Sequence, residues 1–469
     1  MSRHAAFACC CASLLLAMFT PAWAAETVGG LKPSNPVVEP TLVHPLLATH
    51  VEHLDNGMTV VLHEDHRAPV VELQVWYRIG AIDEPAGLTG ISHALEHMMF
   101  RGTAKVPTGE YHSRVARLGG ENNAFTTRDY TYYYLTLPAS DLETAFDLEA
   151  DRMQHLALAE PLFKTEIEVV KEERRLNTEN NAFRAFGESM QGVVYPESPM
   201  RNPVIGHMDD LNKMQVSSLR DWYGKWYAPN NAIVVLAGDF DPARTLPLLQ
   251  RYFGAIPSRA LPARAAPQEP VQQAGKRVVL KKPSRSSLVS FQWRIPADAP
   301  PRDLAALDVL AEMLSHDYQD RRLALASDSL YANFDYPTRG EPLFVFNATP
   351  SKDASLGELE SAMQKQVALL RGAGLYGQML ERAQQRLQAR SYFSYDELSN
   401  RASELGMLTL YGFTPEQYVA HLNLLQQVTL KDLERVADTY LKDEHRVVGV
   451  LEAQPIDKIV ATQEIKHDR

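Results

Sequence analysis

His93-Ala94-Leu95-Glu96-His97 sets two imidazoles four positions apart with a carboxylate between them. On a helix, positions i and i+4 project from one face, so both rings can reach a single ion. Neutral imidazole is a good zinc ligand, and zinc in hydrolytic sites takes three protein ligands and keeps a fourth position for water. Glu96 lies almost one turn after His93 and directly before His97, where its carboxylate can take a proton from such a water, whose pKa the ion lowers toward ~7. That is the chemistry of amide hydrolysis. One lone histidine would read as a polar residue on a core helix; the pair at ligand spacing, with Glu96, reads as a metal site. His63-Glu64-Asp65-His66 has similar residue types, but it lies at a strand end and turn, has no helical face, and is expected to be a solvated loop without a role.

A third ligand has to come from another element. The stretch from Pro161 to about Asn177 reads as a helix, with proline at a first helical position and Phe163, Ile167 and Val170 forming an apolar stripe. Glu166 and Glu173 are seven apart and share a face beside that stripe, whereas Glu168 and Glu172 point elsewhere. Spacing narrows the third ligand to Glu166 or Glu173 and does not choose between them.

The elements around these residues alternate strand and helix. Val51 to His63 carries a strand, a turn at Asn56-Gly57 and a second strand from Met58 to Leu62, the pattern of a hairpin. Val70 to Ile79 alternates apolar and polar residues as a further strand, Tyr130 to Leu137 is dense in β-formers, and Leu142 to Leu158 is an amphipathic helix. Pro257 to Gly275 contains four prolines and little periodicity, and reads as a linker. The two sides of it look alike. Gln215 to Asp221, a helix, then Ala232 to Gly238 recurs as Gln427 to Leu433, a helix, then Arg446 to Leu451, an offset of about 212 residues. A repeat that long indicates a duplicated domain, since solenoid periods are far shorter.

With 469 residues, 45% hydrophobic and 22% charged, the chain can bury several ordinary cores. Residues 1–24 read as a secretory signal peptide: Arg3 and His4, an apolar run from Ala5 to Thr20, and a small-x-small site at Ala22-Trp23-Ala24. Residues 25–47 follow as an extended, proline-punctuated lead-in. Cys9, Cys10 and Cys11 all fall in the leader, so the exported chain has no thiol for a disulfide or a metal. Its formal charge, −11 for the whole chain and near −12 without Arg3, disfavours a nucleic-acid groove or an anionic membrane surface as the main partner. No later run is long and apolar enough to span a bilayer.

The run Gly90 to Thr103 closely resembles the inverted zinc motif of the pitrilysin, insulin-degrading-enzyme and mitochondrial-processing-peptidase family. The resemblance continues in Leu54 to Met58, Gly119 to Thr126, Glu166 to Glu173 and Trp226 to Asn231 leading to Gly238-Asp239, strongly in the first half and weakly in the second. It implies an α+β fold of duplicated α/β sandwich domains: 48–256 carries the zinc site, 276–469 is a homologous domain without the motif, and 257–275 joins them. Each would be a mostly antiparallel sheet with helices on one side, the two halves enclosing a chamber. It implies zinc, one ion per chain, on His93, His97 and Glu173, with Glu96 as general base and Glu166 supporting the site from behind. Asn123, Ala124, Phe125 and Thr126 would lie on an edge strand that takes up peptide substrate as an added strand.

One departure matters. Relatives supply an arginine and, seven positions later, a tyrosine that polarise the scissile carbonyl; Tyr331 fits the tyrosine, but Ala324 stands seven earlier, with Arg321 and Arg322 out of register. Some relatives divide these duties between two polypeptides. The expectation is therefore a periplasmic or secreted zinc endopeptidase acting on peptides or unfolded polypeptides with a related, zinc-less second subunit, a homodimer being the weaker option. A non-catalytic assembly subunit that keeps the fold is the rival, and the intact ligands with Glu96 argue against it.

Overall fold

The computed structural model describes residues 44–264, 269–317, 321–372 and 377–456. The leader expected over 1–24, with its cysteines, and the lead-in up to residue 43 lie outside the described residues. Pro45–Ala48 form a 3-10 turn where extended chain was expected. Leu46 anchors that turn by complete burial.

Two sheets organise the described chain. The first contains β1 (His50–His53), β2 (Thr59–Glu64), β3 (Val70–Tyr77), β4 (Glu121–Thr126), β5 (Thr131–Pro138) and β6 (Ala232–Gly238), in the order β1-β2-β6-β3-β5-β4. The second contains β7 (Lys276–Pro283), β8 (Leu288–Arg294), β9 (Ser327–Asp335), β10 (Leu343–Pro350) and β11 (Val447–Gln454), in the order β7-β11-β8-β10-β9. Apart from β1 the two orders correspond strand for strand. β6 lies parallel to β2 and antiparallel to β3, just as β11 lies parallel to β7 and antiparallel to β8. The helices Val216–Trp226 and Leu430–Tyr440 precede β6 and β11, as the repeat in the sequence requires. The fold is thus α+β with two similar, mostly antiparallel halves.

Local chemistry accounts for the turns that matter here. In the β1–β2 hairpin Gly57 takes φ +84°, a left-handed conformation that costs glycine nothing. Beside it, the Asn56 amide donates to the carbonyls of Phe253 (2.8 Å) and Ile256 (2.9 Å), which ties the hairpin to the start of the 257–275 stretch. That stretch contains no helix or strand among its described residues, yet Arg264 is tied down by its ion pair to Asp83 (3.2 Å). His63 corrects the expectation of a solvated loop at 63–66: it lies near the end of β2, is buried, and meets the Thr49 hydroxyl at 3.0 Å.

Helices cover both faces of each sheet, not one. The inner face of the first sheet packs on its own helices through Val60, Leu62, Leu73 and Val75 with Leu95, Phe146 and Leu219. Its outer face is apolar too, through Val61, Trp76, Ile233 and Val235, and is covered by Ala402, Leu405 and Leu408 of the helix Leu398–Leu410 from the second half. Conversely Phe186, Met190 and Val194 of the helix Ala182–Val194 cover Val447 and Leu451 of the second sheet. The reason lies chiefly in β6, which is apolar on both sides and so requires a layer on each. Beside it the outward Glu72 and Gln74 of β3 are buried as well, bonded to Ser399 (3.1 Å) and Ser403 (3.0 Å) of the covering helix. Gly406 and Gly449 allow the two contacts: a Cβ on either would come within 2.3 Å of Trp76 or Met190.

Candidate metal centre

The histidines stand on the helix Ile91–Met98. Ile91, Ala94, Leu95 and Met98 bury one face of it in the core, and His93, Glu96 and His97 occupy the other. The glutamates stand on the helix Glu160–Arg174, started by Pro161 and held down by Phe163, Ile167 and Val170 as the stripe predicted. The helical stretch expected to reach Asn177 ends in a π turn over Arg175–Glu179. Such irregular turns gather at functional sites, and here Asn177 donates its amide to Glu173 Oε1 at 3.3 Å.

His93, His97 and Glu173 converge: one ligand atom from each lies within 4.8 Å of the others, the one such group among the described residues. Glu173 Oε2 is 3.7 Å from His93 Nε2 and 3.4 Å from His97 Nε2, and the two rings are 4.7 Å apart. Glu166 is not in this group. It holds the far side of His97, accepting from Nδ1 at 2.9 Å, and pairs with Arg101 through its other oxygen. Glu168 and Glu172 are exposed and bonded to Lys171 and Arg175, as their positions on the helix dictate.

Charge states follow from these contacts. Burial, with His97 beside it, holds His93 below the ordinary imidazole range. Burial also opposes charge on His97, but hydrogen bonds to Glu166 and Glu173 outweigh it and carry the ring up to about 9. Glu173 is pushed up by burial yet held net low by the His97 hydrogen bond and the charge of both rings. Burial raises Glu96, against a hydrogen bond from the Thr126 hydroxyl.

Two imidazole nitrogens and one carboxylate oxygen make the donor set of a catalytic zinc site, which keeps a fourth position for water. Glu166 on Nδ1 fixes the His97 tautomer that leaves Nε2 free for a cation. The residues present therefore fit zinc.

Of the strand residues, β4 is the terminal strand of its sheet, as expected for Asn123 to Thr126. Ala124 is buried inward, Phe125 is exposed and stacks on Tyr132, and Asn123 Oδ1 accepts from the Ala124 amide at 2.9 Å. Thr126 does something the sequence did not disclose: its hydroxyl donates to Glu96, tying the carboxylate to the end of the edge strand. Arg101 was also missed, although it stands four residues after His97. Tyr331 lies on β9, the other terminal strand, 55% exposed, and among the described residues no hydrogen bond or ion pair joins it to the cluster.

Residues 59–197 match the family model described as insulinase (peptidase family M16), and residues 213–387 match the one described as peptidase M16 inactive domain. A curated relative, zinc protease PqqE of Helicobacter pylori, is 28% identical over 83% of this chain and 89% of its own. The mitochondrial-processing peptidase subunit beta of Lentinula edodes is 23% identical over 84% and 88%. Among solved structures, a protease from Helicobacter pylori superposes with a TM-score of 0.80 at 24% identity, covering 86% of this chain and 99% of that one. The periplasmic protease PqqL from Escherichia coli gives 0.76 at 18% identity, covering 87% of this chain but 48% of that one. The fold, the two matched halves and the convergent His-His-Glu group agree, and the chain belongs to the M16 (insulinase) family of peptidases.

Proposed function

We propose that this chain is an exported zinc endopeptidase that hydrolyses peptides or unfolded polypeptides. The observation that carries the reading is the convergence of His93, His97 and Glu173 with Glu96 on the same helix face. His93, His97 and Glu173 would hold the ion. Zinc bound there supplies a Lewis acid for the scissile carbonyl and lowers the pKa of water toward ~7. Glu96 accepts the proton of the attacking water and delivers it to the departing amine nitrogen as the C–N bond breaks. Glu166 and Arg101 keep His97 oriented. An extended substrate adds to the β4 edge beside Phe125, bonding through its main chain, so affinity does not demand one side-chain sequence. Tyr331 is the chain's candidate for polarising the carbonyl.

Three of these points lean on relatives. The name zinc protease on the Helicobacter pylori relative supports the metal and the reaction. The Escherichia coli neighbour is a periplasmic protease, which supports export, as does the leader expected over 1–24; no helix among the described residues is long and apolar enough to cross a membrane. That protein is about twice as long as the part this chain covers, which supports pairing with a related second subunit, and a self-paired dimer is the weaker arrangement.

The test is metal content together with cleavage of an internally quenched peptide, with and without the candidate partner. Wild type should carry zinc and turn over; Glu96→Gln should keep zinc and lose activity. Metal-bound wild type without turnover, partner present, would instead indicate an assembly subunit.

A further inference from the structure

We propose that Arg339, supplied by the second half, is a positioning residue for the metal centre: it clamps the Gly80–Glu84 loop to the Thr127–Asp129 turn. In doing so it sets the histidine helix against the strand that carries Thr126. The inference rests on the peptidase reading and adds a residue from the half that lacks the zinc motif.

Arg339 reaches into the first half with its whole guanidinium. Nη1 and Nη2 donate to Asp83 Oδ2 and Oδ1, both at 2.7 Å, a two-pronged pairing that fixes direction as well as distance. Nη1 also donates to the Asp129 carbonyl (3.1 Å), and the Arg339 amide donates to Asp129 Oδ2 (3.0 Å). That same carboxylate oxygen accepts from the hydroxyls of Thr338 (2.9 Å) and Tyr411 (2.7 Å). Asp129 is 4% exposed, and all three of these donors to its side chain come from the second half.

Each clamped segment leads directly to a reacting group. Next to Asp83, Glu84 is 4% exposed and accepts from the amides of Gly90 (2.7 Å) and Ser92 (2.9 Å). Those are donors at the start of the histidine helix, whose own N-cap is Gly90 and offers no side chain. Glu84 therefore caps that helix from a distance, just ahead of the turns that present His93 and His97. On the other side, the turn after β4 is one residue from Thr126, whose hydroxyl holds Glu96. Loop and turn are joined backbone to backbone, Ala81 N to Thr127 O at 3.1 Å and Ile82 N to Arg128 O at 2.9 Å. They also touch so closely at Gly80 that a Cβ there would sit 2.4 Å from the Arg128 carbonyl. Without the guanidinium, Asp83 is left with Arg264 (3.2 Å) and the Asp129 carbonyl loses this donor, so the fork that joins loop to turn is gone while the Asp129 carboxylate keeps its three donors.

The experiment compares wild type, Arg339→Met and Arg339→Lys as full chains, with partner where activity requires it. It reads kcat and KM on an internally quenched peptide, the visible spectrum of the cobalt-substituted protein, and hydrogen exchange of amides in 90–98 and 121–126. A misplacement near 1 Å costs about 10²-fold in rate, so Arg339→Met should lower kcat by about 10- to 100-fold with a smaller change in KM. Exchange should quicken at Gly90, Ser92 and along β4, and the cobalt bands should shift. Arg339→Lys, which keeps the charge without the fork, should recover part of each and carries the test if the methionine variant fails to fold. A folded Arg339→Met, or Lys in its place, with wild-type kcat, exchange and spectrum overturns the inference alone. A wild type that binds no zinc and cleaves nothing overturns the peptidase reading, and the inference with it.

Discussion

Replacing Glu166 by alanine should weaken zinc binding by about 10- to 100-fold, which is about 1.4–2.7 kcal/mol. The magnitude follows from what the carboxylate does. It is 6% exposed, it accepts from His97 Nδ1 at 2.9 Å, and it is the anionic partner of Arg101. Its loss releases the ring to rotate and to exchange tautomers, so the Nε2 lone pair no longer faces Glu173 as a matter of course. It also leaves the Arg101 guanidinium without its carboxylate. Glu166→Gln separates the two effects: the amide oxygen can still accept from Nδ1, so the loss should fall near the lower end, about tenfold. The assay is competition for zinc against a chromophoric chelator, with circular dichroism of the metal-free proteins to show that the fold is retained. An unchanged zinc Kd in the folded alanine variant would refute the claim that Glu166 orients His97, and would leave Glu173 and the two histidines to account for the site unaided.

Acid stability gives an independent check away from the candidate metal centre. Glu188 has a side chain 23% exposed; burial pushes its carboxyl up, but the His207 ring beside it (3.6 Å) and hydrogen bonds from Arg174 outweigh this and hold it down to about 2, against an ordinary 4.5. A depressed carboxyl stabilises the fold above its unfolded pKa and ceases to do so as pH falls through the folded one. Glu188→Gln should therefore remove up to about 3 kcal/mol of stability at neutral pH and flatten the loss between pH 4.5 and 2, read by urea denaturation across that range. Parallel curves for the two proteins would contradict the assignment. Gly406→Ala should lower the urea midpoint, because the new Cβ would lie 2.3 Å from the Trp76 ring. Overpacking costs about 1–3 kcal/mol, more than the roughly 1 kcal/mol that alanine gains over glycine in a helix. A midpoint that rises would show that the two elements can move apart freely.

What could be read from the sequence was what one element specifies alone. The spacing of His93 and His97 fixes a shared helix face, and the stripe of Phe163, Ile167 and Val170 fixes which way Glu166 and Glu173 look. The same spacing could not separate the two carboxylates, because both lie on that face two turns apart; the distances do, with Glu173 beside both rings and Glu166 on the opposite side of His97. The repeat around residues 215–238 and 427–451 gave the duplicated topology, since helix-then-strand order survives in local pattern. Contacts across hundreds of residues leave no such trace. Nothing near Asp129 announces Thr338, Arg339 and Tyr411, and nothing near Trp76 announces Gly406. Glu84 lies nine residues before His93, too far for a capping box, so its role appears only once the loop is folded.

The traded helices have a mechanical corollary. Because Ala182–Val194 lies on the far sheet and Leu398–Leu410 on the near one, neither half owns a finished interior. A chain severed between them would yield two fragments, each with a bare greasy flank shaped for a helix held by the other, and solubility would return only on recombination. Any breathing of the molecule must likewise slide or bend these crossed staples as a unit.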